Sequence, residues 1–200
     1  REAAARTDAQ IFAMVCRYDA LGGSGFQAAL PYACFDVLRV RVGVILETFA
    51  SPLNAHYQRF CSAFPELDAP FGSVGSFFNF RPKRGSFETN PPFGPGIILS
   101  AIAHIEDVLG STEDPLSFAV VVPVWDTSDW WDRLIANQYL RGQFRVSKEE
   151  HAWRDHRAGG LARRVPVDTG IYFLQNEQGS RQWAVDDDLL AALRKAIVVE

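Results

Sequence analysis

The chain is poor in several things that would steer a reading of function. It has three cysteines in 200 residues. Cys16, Cys34 and Cys61 are widely spaced, form no Cys-x-x-Cys pair and are odd in number, so reduced thiols are expected rather than a disulfide framework or a metal site. No His, Cys, Asp or Glu cluster has metal-ligand spacing, and no Ser–His–Asp grouping can be argued. The longest strongly apolar run, Leu116 to Val124, is too short to span a bilayer, and no signal-peptide pattern opens the chain. There is no excess of positive charge: the net charge is -4, so any nucleic-acid contact must come from local patches. The glycine-rich Gly-x-Gly turn of many nucleotide-cofactor folds is also missing, as are internal repeats. The chain starts at Arg1 rather than Met, which reads as a fragment of something longer.

What remains is an ordinary globular composition, 48% hydrophobic and 22% charged, with length enough for one compact domain. Residues 2–20 have a helical pattern, broken by Leu21-Gly-Gly-Ser-Gly25. A second helical stretch runs from Gln27 to about Arg41, interrupted at Pro31. Strands are expected at 43–49, 75–80, 86–89, 116–124, 143–147 and 170–175. Helices are expected at 95–109, 129–139 and 186–197, and residues 55–63 are helix-permissive. The segments 64–73 and 148–165 read as surface loops. Strands alternate with helices, which predicts an α/β fold with a mostly parallel sheet flanked by helices. Residues 1–42 read as a helical lead-in and 43–200 as the core.

In such sheets ligands bind at the carboxyl ends of strands. Two segments there carry chemistry: Glu47-Thr-Phe-Ala-Ser-Pro-Leu-Asn54 and Thr89-Asn-Pro-Pro-Phe93. In the second, the Asn90 side-chain oxygen and the Pro91 carbonyl can each accept one N–H of a planar amino group, drawing its delocalised lone pair toward sp3 character. Pro91 and Pro92 fix φ and remove two donors. Phe93 offers a face on which a flat base can stack. Asn supplies an acceptor without charge. The pattern implies methyl transfer to a conjugated nitrogen. Similar motifs serve on RNA, DNA and protein glutamine, and a Pro-Pro turn ahead of a helix is the bland reading. The first turn would cradle S-adenosylmethionine.

Further segments occur in order: Phe49-Ala-Ser-Pro-Leu-Asn54, Phe60-Cys-Ser-Ala-Phe-Pro65, Phe71-Gly-Ser73, Gly85-Ser-Phe-Glu-Thr-Asn-Pro-Pro-Phe93, Pro115-Leu-Ser-Phe118, Ser147-Lys-Glu-Glu150 and Phe173-Leu-Gln-Asn176. Together they resemble the phosphorylated-CTD-interacting factor family of cap-specific adenosine N6-methyltransferases. The resemblance implies a Rossmann-like S-adenosylmethionine-dependent methyltransferase. Its substrate would be the cap-adjacent 2′-O-methyladenosine of mRNA, its location nuclear and its partner the phosphorylated C-terminal domain of RNA polymerase II. It implies Asn90, Pro91, Pro92 and Phe93 as the catalytic motif and Phe49, Ala50, Ser51, Pro52 and Asn54 as the cofactor-side turn. Within the cofactor site, Glu47 is expected to accept from the cofactor's amino group or ribose, with a buried carboxylate capping a turn as the alternative, and Asp68 and Phe71 to line its adenosine.

Two basic clusters are candidates for RNA phosphate: Arg81, Lys83 and Arg84, and Lys148, His151, Arg154, His156, Arg157, Arg163 and Arg164. A solvated face is the alternative for both. His56 and His104 read as helix-surface or packing residues rather than catalytic bases. Trp131 and Trp153, though nearly at WW-domain spacing, read as core or loop anchors. Open alternatives to the capped substrate are internal RNA or DNA adenine, or a non-catalytic module binding the polymerase tail.

Overall fold

A computed structural model describes residues 2–21 and 27–198; most of the break expected at Leu21–Gly25 lies outside them. The chain order is α1 (Glu2–Ala20), β1 (Ala28–Ala29), α2 (Tyr32–Val42), β2 (Val44–Glu47), α3 (Pro65–Asp68), β3 (Gly85–Thr89), α4 (Pro95–Gly110), β4 (Leu116–Pro123), α5 (Trp131–Ile135), β5 (Leu140–Val146), β6 (Ala152–Asp155), β7 (Leu161–Arg164), β8 (Thr169–Gln175), α6 (Glu177–Gln182) and α7 (Asp187–Ile197).

β4 is the centre. Every residue of it is buried, because helices cover both faces of the sheet. Its side chains alternate with period two. Phe118, Val120 and Val122 pack with Ile98, Ala101, Ile102 and Ile105 of α4. Ala119 and Val121 pack with Phe35 and Leu38 of α2 and with Leu189 and Leu193 of α7. Each large aliphatic side chain so buried is worth roughly 1.5–3 kcal/mol. α2 therefore shares a core with the sheet. α7 is started by Asp186, whose carboxylate accepts the Leu189 N–H at 2.8 Å.

The main sheet has strand order β2-β3-β4-β8-β5. β2, β3 and β4 pair parallel, and β8 runs antiparallel to both β4 and β5. Four strands thus share one direction and β8 opposes them. A second sheet, β1-β6-β7, is antiparallel throughout. The expectation of a mostly parallel sheet is corrected: four of the six strand pairings are antiparallel. The cause is β8, inserted between two strands that point the other way.

Beyond β2 the sheet continues as single-residue parallel bridges, Glu47 to Phe60 and Phe60 to Ser73. The chain therefore leaves β2 toward one side, through Phe60 and Ser73, and returns to β3 on the other. That reversal is a topological switch point, with its crevice at the carboxyl ends of β2 and β3.

Several expectations need correction. The stretch 27–41 is not one helix: β1 precedes α2. Residues 55–63 are not helical, because the His56 and Tyr57 N–H groups are given to the Glu47 carboxylate and Phe60 joins the sheet. Instead of a strand at 75–80 there is a 3-10 turn at Phe77–Asn79, which drives Phe77 into the core against Phe49 and His104. Residues 64–73 are not a plain surface loop: they hold α3, a 3-10 turn and a buried Asp68. Only Trp131–Ile135 of the helix expected at 129–139 forms. The supposed loop 148–165 contains the β6–β7 hairpin, turned by Asp155 accepting the Arg157 and Ala158 N–H groups and by Gly159 and Gly160 at positive φ. Its polarity is that of an exposed edge strand, β7.

Candidate active site

β3 delivers the Asn-Pro-Pro-Phe segment to the switch-point crevice. The ends of β2 and β3 are tied by a buried bond from Thr48 Oγ1 to Thr89 Oγ1 at 2.9 Å and by the Thr48 N–H to the Glu88 carbonyl at 2.8 Å. Asn90 is half-buried, Pro91 buried and Pro92 exposed. Among the described residues no protein group bonds the Asn90 amide. Half-buried Phe93 meets the rings of Trp153 at 5.2 Å and Trp125 at 6.2 Å, both edge-on. These tryptophans, from β6 and the end of β4, fix the ring that could stack a base.

The cofactor-side turn is held by its own polar groups. Ser51 Oγ donates to Gln27 Oε1 at 2.8 Å, and the Ser51 N–H donates to Asn54 Oδ1 at 2.8 Å. Asn54 Nδ2 donates to the Ala28 carbonyl. Ser51 and Asn54 therefore shape the turn, while Ala50 and Pro52 remain half-buried at the crevice. Phe49 is packed against Phe77 and Phe78.

Glu47 is 3% exposed, and its Oε2 accepts the His56 and Tyr57 N–H groups at 2.7 and 2.9 Å. Burial pushes its carboxyl up to about 7, against the pull of those two N–H groups. Glu88, directly opposite in register, is 1% exposed. Its Oε1 has no partner. Burial first, then the Glu47 charge, holds Glu88 well above the usual carboxylate range. The sequence reading missed Glu88. The available signal was an acidic residue in an otherwise buried strand, two positions before Asn90 and so on the same face.

The other candidate residues are dispersed. Asp68 is fully buried and accepts the Tyr18 hydroxyl of α1; Phe71 is half-buried in the turn that follows. His151 is buried with both ring nitrogens engaged, by the Ser147 carbonyl at 2.7 Å and Thr169 Oγ1 at 2.8 Å. It braces the start of the hairpin. Arg154 lays its guanidinium 3.9 Å from the centre of the Tyr32 ring. Lys148 is exposed at the carboxyl edge, just past β5. Arg81, Lys83 and Arg84 are exposed at the opposite edge, before β3; five residues at about 3.3 Å each place them on the order of 15 Å from Asn90. Arg81 is paired with Asp107. A surface hollow of about 330 Å³, lined by Thr112, Glu113, Asn176, Glu177 and Gln178, also lies at that far edge.

Residues 2–156 match the family described as the phosphorylated CTD interacting factor 1 WW domain. The chain belongs to the phosphorylated CTD interacting factor 1 family. Within the matched span, Trp131 begins a helix and Trp153 lies in β6, both buried as anchors. Two similar proteins are the mRNA (2′-O-methyladenosine-N(6)-)-methyltransferases of Homo sapiens and Mus musculus, each 35% identical over 181 residues. The alignment takes 87% of this chain and 26% of each relative, so the chain spans about a quarter of their length. The fold is accordingly the Rossmann-like fold of S-adenosylmethionine-dependent methyltransferases. A solved structure described as an antibiotic-related methyltransferase overlaps 70% of this chain and 93% of its own at 11% identity, with a TM-score of 0.35.

Proposed function

We propose that this chain of the phosphorylated CTD interacting factor 1 family forms the catalytic core of an S-adenosylmethionine-dependent RNA methyltransferase acting on N6 of adenosine. The substrate is the 2′-O-methyladenosine beside the mRNA cap, and the setting is nuclear, with the phosphorylated tail of RNA polymerase II as a partner. The observation that carries the reading is Asn90-Pro-Pro-Phe93 at the carboxyl end of β3, beside the switch point, with the Asn90 amide free of partners among the described residues. The names of the human and mouse relatives agree with it.

The residues present suit the cofactor. The turn at the carboxyl end of β2 carries the small residues Ala50 and Ser51, and the buried acidic side chains of Glu47 and Glu88 suit a ligand carrying positive charge. When bound, the cofactor supplies a methyl group already activated on sulfur. Glu47 and the turn from Phe49 to Asn54 would hold it. Asn90 Oδ1 and the Pro91 carbonyl would accept the two N–H groups of the adenine, aiming the nitrogen. Phe93, held by Trp125 and Trp153, would stack on the base. Rate is gained chiefly by positioning, so no strong base need precede attack. Lys148 and Arg154, on the same edge as Asn90, are better placed for RNA phosphate than the 81–84 turn.

The test is methyl transfer to capped RNA, uncapped RNA and DNA, read by mass spectrometry of the nucleosides. The intact protein should make N6-methylated product on capped RNA. Asn90→Ala should lose about a hundredfold or more in rate with an unchanged far-ultraviolet dichroism spectrum. Wild-type rates from Asn90→Ala would overturn the assignment, and product on DNA or uncapped RNA alone would overturn the substrate.

A further inference from the structure

We propose that Glu88 is a cofactor-binding residue: with Glu47 it forms a two-carboxylate seat for the protonated amino group of S-adenosylmethionine. The inference rests on the methyltransferase reading above.

The two carboxylates stand on neighbouring strands in register, at the strand ends that flank the switch point. Both are almost wholly buried. Their bonding is unequal. Glu47 Oε2 is supplied by two backbone N–H groups, whereas Glu88 Oε1 has none. Among the described residues no arginine or lysine bonds either group. A buried acceptor without a donor is costly, and two adjacent buried carboxylates resist ionising together. A ligand that brings both N–H donors and positive charge relieves both conditions; an anionic or neutral ligand relieves at most one.

The face is the right one. Phe87 packs in the cluster with α4, so Ser86, Glu88 and, beyond the strand end, Asn90 fall on the opposite face. Tyr57 and Phe93 pack on that opposite side, with the α2–α7 cluster. Glu88 thus lies beneath the same crevice as the Asn-Pro-Pro-Phe segment. Among the described residues Tyr57, from the loop after β2, is the titratable side chain that feels both carboxylates, and Asp36 and Arg39 of α2 act in turn on His56 and Tyr57.

A consequence is proton release. The free pair retains a proton, since burial raises both carboxyls. An arriving ammonium favours the doubly ionised pair, so binding expels that proton and affinity rises with pH above the ordinary carboxylate range.

Titration calorimetry of the intact protein in buffers of different ionisation heat tests this. The probes are S-adenosylmethionine and 5′-methylthioadenosine, which lacks the amino-acid arm. The unsubstituted protein should release a proton with the first and not with the second. Glu88→Gln should reduce the release, leaving only the part that Glu47 supplies, and weaken S-adenosylmethionine by about tenfold or more, while 5′-methylthioadenosine changes by less than about twofold. Retained 5′-methylthioadenosine binding also shows that the variant is folded. Unchanged S-adenosylmethionine affinity and proton release in Glu88→Gln would overturn the assignment, as would equal weakening of both ligands. Failure of the unsubstituted protein to bind either ligand is a different result: it would overturn the methyltransferase reading itself.

Discussion

The polar residues around the crevice fall into two kinds. Ser51, Asn54 and His151 have their hydrogen bonds met within the protein. Asn90 and one oxygen of Glu88 do not. Residue type alone cannot separate these kinds, because an Asp or His reads the same whether it braces a loop or faces a ligand. Asp68 is a case that can be decided. Its Oδ2 is held by Tyr18, and its Oδ1 has no partner. Burial, then the bond to Asp68, raises the Tyr18 hydroxyl's own affinity for its proton, so it stays a donor across the working pH range. Tyr18→Phe leaves that carboxyl without a side-chain donor. The expected loss is about 2 kcal/mol in urea denaturation, with cofactor affinity unchanged by calorimetry. Weakened cofactor binding at full stability would instead place Asp68 in the site.

At the scale of elements, the joints are made by single side chains. Asn176, just past β8, is the clearest. Its Oδ1 accepts the Leu116 and Gly179 N–H groups at 3.1 and 2.8 Å, and its Nδ2 donates to the Thr112 and Asp114 carbonyls at 3.1 and 2.8 Å. It thereby caps α6 and fastens the start of β4 to the end of β8, at the edge of the sheet opposite the crevice. Asn176→Ala strips all four bonds. A loss of about 3 kcal/mol is expected by denaturation, with methyl transfer by the remaining folded protein unaltered. Elements with strong local signals were readable beforehand: β4 from its unbroken apolar run, α4 from its 3.6 period behind Pro95, α7 from Asp186 and its Leu189–Leu193–Ile197 stripe. The misreadings share a cause in long-range pairing. The 55–63 segment gives its N–H groups to Glu47, and β6 exists because β1 and β7 flank it. The Asn-Pro-Pro-Phe segment was visible because its chemistry is local. Glu88 was not, because its meaning depends on the register of β2 against β3.

For the molecule as a whole, the buried carboxylate pair couples folding to pH. Glu47 and Glu88 hold protons more tightly folded than unfolded. Their contribution to stability is therefore complete below the unfolded value near 4.5. It declines as pH rises, through about 7 for Glu47 and beyond its ordinary range for Glu88. His56, His151 and His156 act oppositely. Burial lowers all three, so they destabilise the fold as pH falls below their ordinary value of 6.5. The net curve mixes the two, but Glu88→Gln removes one carboxyl and leaves the imidazoles alone. From about pH 5 to about pH 8, the thermal midpoint of the unsubstituted protein should fall relative to that of Glu88→Gln. Because the bound ammonium would stabilise the ionised pair, saturating S-adenosylmethionine should shrink this difference in slope. Parallel curves for the two proteins without ligand would show that the pair does not titrate as a buried unit, and the proton release expected on cofactor binding would fail with it.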